Sequence, residues 1–206
     1  MRFIPPSRDY AAYIFDCDGT LVESMPLHFR AWRHALAEHG ARFDFDWALF
    51  TSRAGMPLEA TVDALNLQFA TELQAERVAA VQRATYRAHL AGIPAIEPVA
   101  SFARAMALKA PLAVASGGNR EEVEQSLRGV GLLELFKCIV TGSEVTRGKP
   151  DPEIFLRCAE GLGIAPGDCL VIEDGELGIE GARRAGMDWV RVESLIPDPS
   201  DPCWER

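Results

Sequence analysis

The sequence is poor in the features that mark a nucleic-acid partner, a membrane protein or a disulfide scaffold. Lys and Arg number 21 against 30 Asp and Glu, a formal charge of −9, and the basic residues nowhere gather into a block able to neutralise several phosphates. Nucleic acid and anionic membrane surfaces are therefore excluded as partners, and an anionic substrate has to be held by a few local donors and a metal. No window has the apolar length of a membrane-spanning helix, and Met1 to Tyr10 lacks the apolar run of a signal peptide, so a cytoplasmic location is expected. The five cysteines, at 17, 138, 158, 169 and 203, are an odd number without a CxxC pair. That argues against a disulfide framework or a structural zinc site and leaves them as small apolar residues. Internal repeats and low-complexity stretches are missing too, and the Pro- and Asp-rich Ile196 to Arg206 reads as a surface extension.

What is present suits a globular chain: 206 residues, 48% apolar and 25% charged, enough for one full core and a small accessory domain. Short apolar runs at 11–15, 112–115, 138–140, 169–172 and 189–192 read as buried strands. Between the later ones, 121–130, 152–163 and 177–185 carry helical spacing, for instance Val123, Leu127 and Val130. Strands alternating with helices predict an α/β fold with a parallel sheet covered on both faces. The stretch 25–92 breaks that rhythm with helix-like segments at 27–39, 57–68 and 72–90 and no strand. It is expected to be a helical insertion after the first strand, with 1–24 and 93–206 forming the core. Two Pro and a Gly near Ile93 to Pro98 mark the return. A monomer is expected.

Four segments carry groups suited to chemistry, each just beyond the carboxyl end of an expected strand or in the turn that leads to the next helix, where open parallel sheets bind ligands. Asp16 and Asp18 stand in Phe15-Asp16-Cys17-Asp18-Gly19-Thr20. One carboxylate can attack phosphorus, and a second two residues on can protonate the leaving oxygen and then activate water, although Asp and Gly also make ordinary turns. Ser116 precedes Gly117, Gly118 and Asn119, where backbone N–H groups can approach an oxyanion, or where Ser or Asn simply caps a helix. Lys149 lies in a turn entering a helix and can hold a transferring group and screen carboxylates. Glu173 and Asp174 are an acidic pair that repels Asp16 unless a hard cation intervenes, and oxygen ligands suit magnesium. A turn-forming explanation has to be invoked separately at each of the four places, so the combination points to phosphoryl transfer.

Asp16-Cys17-Asp18-Gly19-Thr20-Leu21-Val22, Ser116, Lys149-Pro150-Asp151-Pro152 and Glu173-Asp174 resemble, in order and spacing, the four motifs of the haloacid dehalogenase superfamily. The likeness runs from about Tyr13 to Val192. Through Gly178 to Met187 it extends to the branch holding β-phosphoglucomutase and sugar-phosphate phosphatases. The resemblance implies a Rossmann-like core, a four-helix cap that opens and closes, and Mg2+. In it Asp16 is nucleophile and metal ligand, and Asp18 is acid/base with its carbonyl on the metal. Ser116 and Lys149 bind the phosphoryl group, and Asp174 completes the metal site beside Glu173. Thr20, His28, Trp32, Gly117, Gly118 and Asn119 are expected around the substrate, with His28 and Trp32 in a segment that faces it, although Trp32 also fits a helix core. True dehalogenases of the superfamily lack the second Asp.

The mutases of this branch grip a distal phosphate with a cap arginine after a Gly-containing loop. The matching position after Gly55 is the apolar Leu58, with Arg53 nearby. The expectation is therefore a phosphatase of a small phosphorylated metabolite, with a β-phosphoglucomutase-type mutase as the alternative. A non-catalytic binding protein on the same fold would not need Asp18.

Overall fold

In the computed structural model the described residues are 3–53, 56–90 and 92–193. They divide into two compact units, one within Met25–Leu90 and the other formed by the residues before and after it. The loop at Gly55, Cys203 and the 196–206 tail, each given a part in the sequence reading, lie outside the described residues.

The helical unit contains α1 (Met25–Glu38), α2 (Trp47–Thr51), α3 (Leu58–Phe69) and α4 (Ala75–Ala88). Phe29, Trp32 and Leu36 recur at helical spacing along α1 and meet Phe45, Phe50, Val62, Leu65 and Val78 in one apolar cluster. The short α2 was not anticipated. It is set by Asp46, whose side chain accepts from the Leu49 N–H at 2.7 Å.

The other unit is built on five strands, β1 (Ala12–Phe15), β2 (Leu112–Ser116), β3 (Phe136–Thr141), β4 (Cys169–Glu173) and β5 (Asp188–Arg191). All neighbours are parallel, in the order β3-β2-β1-β4-β5. Its helices are α5 (Glu97–Met106), α6 (Arg120–Gly129), α7 (Glu153–Leu162) and α8 (Glu176–Arg184). Strand side chains alternate between faces. Tyr13, Phe15, Leu112, Val114, Leu170 and Ile172 join Val99, Ala103 and Met106 of α5 and Val123 and Leu127 of α6. Ile14, Ala113, Ala115 and Val171 join Ile154, Phe155 and Cys158 of α7 and Ala182 of α8. The expected α/β fold, a parallel sheet clad on both faces, is thus observed.

Two details differ from expectation. The return segment is no mere boundary, because Pro98 sits in the first turn of α5, where its missing N–H costs nothing. Cys138 is only half-buried, whereas Cys17, Cys158 and Cys169 are fully buried. Where the chain leaves and re-enters this unit the two passages pair: Val22 bridges Ala95, and the Glu23 N–H donates to the Pro94 carbonyl at 2.9 Å.

Candidate active site

Because β1 is central and the chain winds outward from it to either side, the loops after β1, β2 and β4 converge at one carboxyl edge. Asp16 is the first residue past β1, held by its N–H on the Ile172 carbonyl at 2.9 Å, and is 6% exposed. The chain then turns tightly, with the Leu21 N–H donating to the Cys17 carbonyl at 2.9 Å and Gly19 at φ +84°. A side chain on Gly19 would stand 2.5 Å from Asp174 Oδ2, so this turn also makes room for the acidic end of β4. Thr20, expected at the substrate, is fully buried and donates its hydroxyl to Asp174 Oδ1 at 3.0 Å; it orients a carboxylate. Asp18 accepts a 2.5 Å hydrogen bond from the buried Ser24 hydroxyl, a partner missed in the sequence because a lone Ser near a helix start looks like a cap.

Ser116 ends β2 and is 1% exposed; its Oγ accepts from the Gly118 N–H at 3.1 Å. A side chain on Gly118 would come 3.3 Å from Ser116 Oγ and 3.7 Å from Asp18 Oδ2, so this loop and Asp18 are neighbours. Gly142, just past β3, is pressed against the Gly117 carbonyl, and its N–H donates to the Gly118 carbonyl at 3.2 Å. Asn119 does what its capping chemistry allows: its side-chain oxygen accepts from the Glu121 N–H at 3.0 Å and starts α6. That oxygen is committed to the helix, which leaves the side-chain amide N–H groups as the donors this residue could offer a substrate.

Lys149 reaches inward from the turn before α7. Its Nζ donates to Asp16 Oδ1 at 2.7 Å and to Glu173 Oε2 at 2.6 Å, with all three side chains almost fully buried. Burial alone pulls the ammonium pKa down, but the Asp16 and Glu173 carboxylates outweigh it and hold Lys149 above its usual value. The acids show the opposite imbalance. Burial, and then repulsion from Glu173, keeps Asp16 well above the carboxylate range and raises Asp174 to about 7. Asp16, Glu173 and Asp174 offer oxygens that all lie within 4.8 Å of one another. One ammonium among two buried carboxylates and a third partly buried one leaves negative charge uncompensated, and a donor set made only of oxygen fits a hard divalent cation such as magnesium.

His28 and Trp32 belong to the helical unit. The His28 ring stacks on Tyr86 with centroids 3.8 Å apart, and Gln82 Nε2 lies 3.3 Å from its Nδ1. Trp32 is 4% exposed and packs with Phe45, so the core role that its helical spacing also allowed accounts for it. Leu58 is half-buried against the same core.

Fold and site together define the class: a phosphoryl-transfer enzyme. A family model described as haloacid dehalogenase-like hydrolase matches residues 10–186, and the chain belongs to that family. It is 32% identical to the fructose-1-phosphate phosphatase YqaB of Escherichia coli, over 90% of this chain and 98% of that one. It is 31% identical to a phosphorylated carbohydrates phosphatase of Thermotoga maritima, over 92% of this chain and 87% of that one. Among solved structures, β-phosphoglucomutase of Clostridium difficile superposes with a TM-score of 0.74 at 26% identity, over 87% of this chain and 83% of that one.

Proposed function

We propose that this chain is a magnesium-dependent phosphatase of small phosphorylated sugars that works through an aspartyl-phosphate on Asp16. The observation that carries this reading is the convergence of Asp16, Lys149, Glu173 and Asp174 at one sheet edge, with Lys149 Nζ within 2.7 Å of both Asp16 and Glu173. In this reading Asp16 attacks phosphorus in line with the leaving oxygen. Asp18 protonates the departing alcohol and then takes a proton from the water that attacks the aspartyl-phosphate. Lys149, the Ser116 hydroxyl and the N–H groups of the Gly117–Gly118 loop hold the phosphoryl oxygens as charge spreads over them. Asp16, Glu173, Asp174 and the Asp18 carbonyl would hold the magnesium. The ion would neutralise phosphoryl charge beside these carboxylates.

Residues 25–92 act as the cap in this reading and select the substrate, with His28 a candidate for contact. Sugar phosphates are favoured because two relatives above 30% identity are phosphatases of fructose 1-phosphate and of phosphorylated carbohydrates. A mutase is disfavoured by the apolar Leu58, which packs inward, and by Arg53, whose Nη2 donates to Gln68 Oε1 at 2.5 Å. The test is incubation with magnesium and, separately, fructose 1-phosphate and β-glucose 1-phosphate, the latter with a trace of glucose 1,6-bisphosphate. Release of inorganic phosphate supports the reading. Glucose 6-phosphate formed without phosphate release makes the enzyme a mutase.

A further inference from the structure

Gly178 sits in the first turns of α8, in ordinary helical backbone, where an Ala would form a better helix. No turn and no positive φ demands a glycine there. The reason is steric and lies in the site. A Cβ built on Gly178 would fall 2.0 Å from Glu173 Oε2, 2.1 Å from its Cδ and 2.6 Å from its Cγ, distances at which two atoms cannot coexist. Oε2 is the oxygen that accepts from Lys149 Nζ at 2.6 Å. The carboxylate has little freedom to retreat, because Oε1 accepts from the Gly175 N–H at 3.0 Å and the side chain is 4% exposed. The other glycine inside α8, Gly181, differs in kind: its missing side chain makes room for the Phe155 ring at 2.8 Å, an apolar contact away from the carboxylates.

We propose that Gly178 is a positioning residue of the reaction: the space left by its missing side chain holds the Glu173 carboxylate in place, and through it the Lys149 ammonium against Asp16. This rests on the reading of Asp16 as nucleophile given above. With Ala at 178, Glu173 has to swing away, and Lys149 keeps only Asp16 as a partner.

A four-member cycle tests it: the wild type, G178A, E173A and the double variant, each assayed with magnesium and p-nitrophenyl phosphate and each unfolded in urea. G178A is expected to lower kcat at least tenfold, to within about threefold of E173A, with a smaller change in KM. Adding G178A to E173A should lower kcat no further and should leave the urea midpoint equal or higher, since Ala then only improves the helix. Wild-type kcat in G178A, or losses in kcat and midpoint that multiply in the double variant, would overturn the proposal by showing that Gly178 acts independently of Glu173. If the wild type hydrolyses neither this probe nor fructose 1-phosphate, the functional reading is what fails. The urea midpoints then decide the positioning role by the same additivity criterion.

Discussion

At the scale of single residues, the site concentrates charge that the rest of the fold avoids burying. Lys149→Met removes the ammonium that pairs with the buried Asp16 and Glu173 carboxylates, and losing one partner of a buried ion pair costs about 3–5 kcal/mol. Because protonation relieves stranded carboxylates, the loss should be larger at pH 8 than at pH 5, as urea titrations in EDTA will read. Lys149 itself, held above its usual pKa, keeps its charge throughout that range. If Asp16 is the nucleophile proposed above, Asp16→Asn should keep the fold and lower turnover at least about a thousandfold, as single-turnover assays will read. A third prediction concerns the β3 thiol. The neighbouring Cys158 lowers the Cys138 thiol pKa to about 7, and Cys138 is only half-buried while the other described cysteines are buried. Iodoacetamide at pH 7.5 should label Cys138 faster than Cys17, Cys158 or Cys169, as peptide mapping will show. The convergence of Asp16, Lys149, Glu173 and Asp174 was legible because charged residues stood just past expected strand ends or in the turn entering a helix. Ser24, Gly142 and Gly178 were not, because their contributions are a single hydroxyl and two absences of a side chain, which have meaning only against neighbours distant in the chain.

At the scale of elements, local chemistry explains most beginnings and ends. α3 stops at Ala70, which takes the left-handed conformation at φ +52°, the only non-glycine residue with positive φ among those described. Ala70→Gly should therefore stabilise the protein by about 1 kcal/mol, measurable as a higher urea midpoint with activity unchanged. The core strands were readable as apolar runs because both their faces are covered. β3 extends beyond its expected limits at either end because it is an edge strand whose burial fades toward Lys137. α5 was hidden by the prolines that introduce it. Its spacing of Val99, Ala103 and Met106 and the proline in its first turn were nonetheless a legitimate helix-start signal. Strand order left no mark on any single segment, since it depends on how runs far apart in sequence pair.

At the scale of the whole molecule, the carboxylates that would take a cation all belong to one unit, which ties metal binding to folding. Magnesium at about 100 times its Kd should add about 2.7 kcal/mol of stability, seen as a rise in Tm that EDTA reverses and that Asp174→Asn abolishes. No helix among the described residues is long and apolar enough to cross a membrane. The paired passages at Val22 with Ala95 and at Glu23 with Pro94 have a further consequence. Seen from the sheet, Met25–Leu90 is one large loop whose two ends are already clasped. Closing a flexible loop grows costlier only with the logarithm of its length, about 0.6 kcal/mol per doubling. A stem of this kind lets the inserted segment be lengthened, trimmed or exchanged for a relative's while the sheet edge keeps its register, because the strands it interrupts are already held together at the clasp.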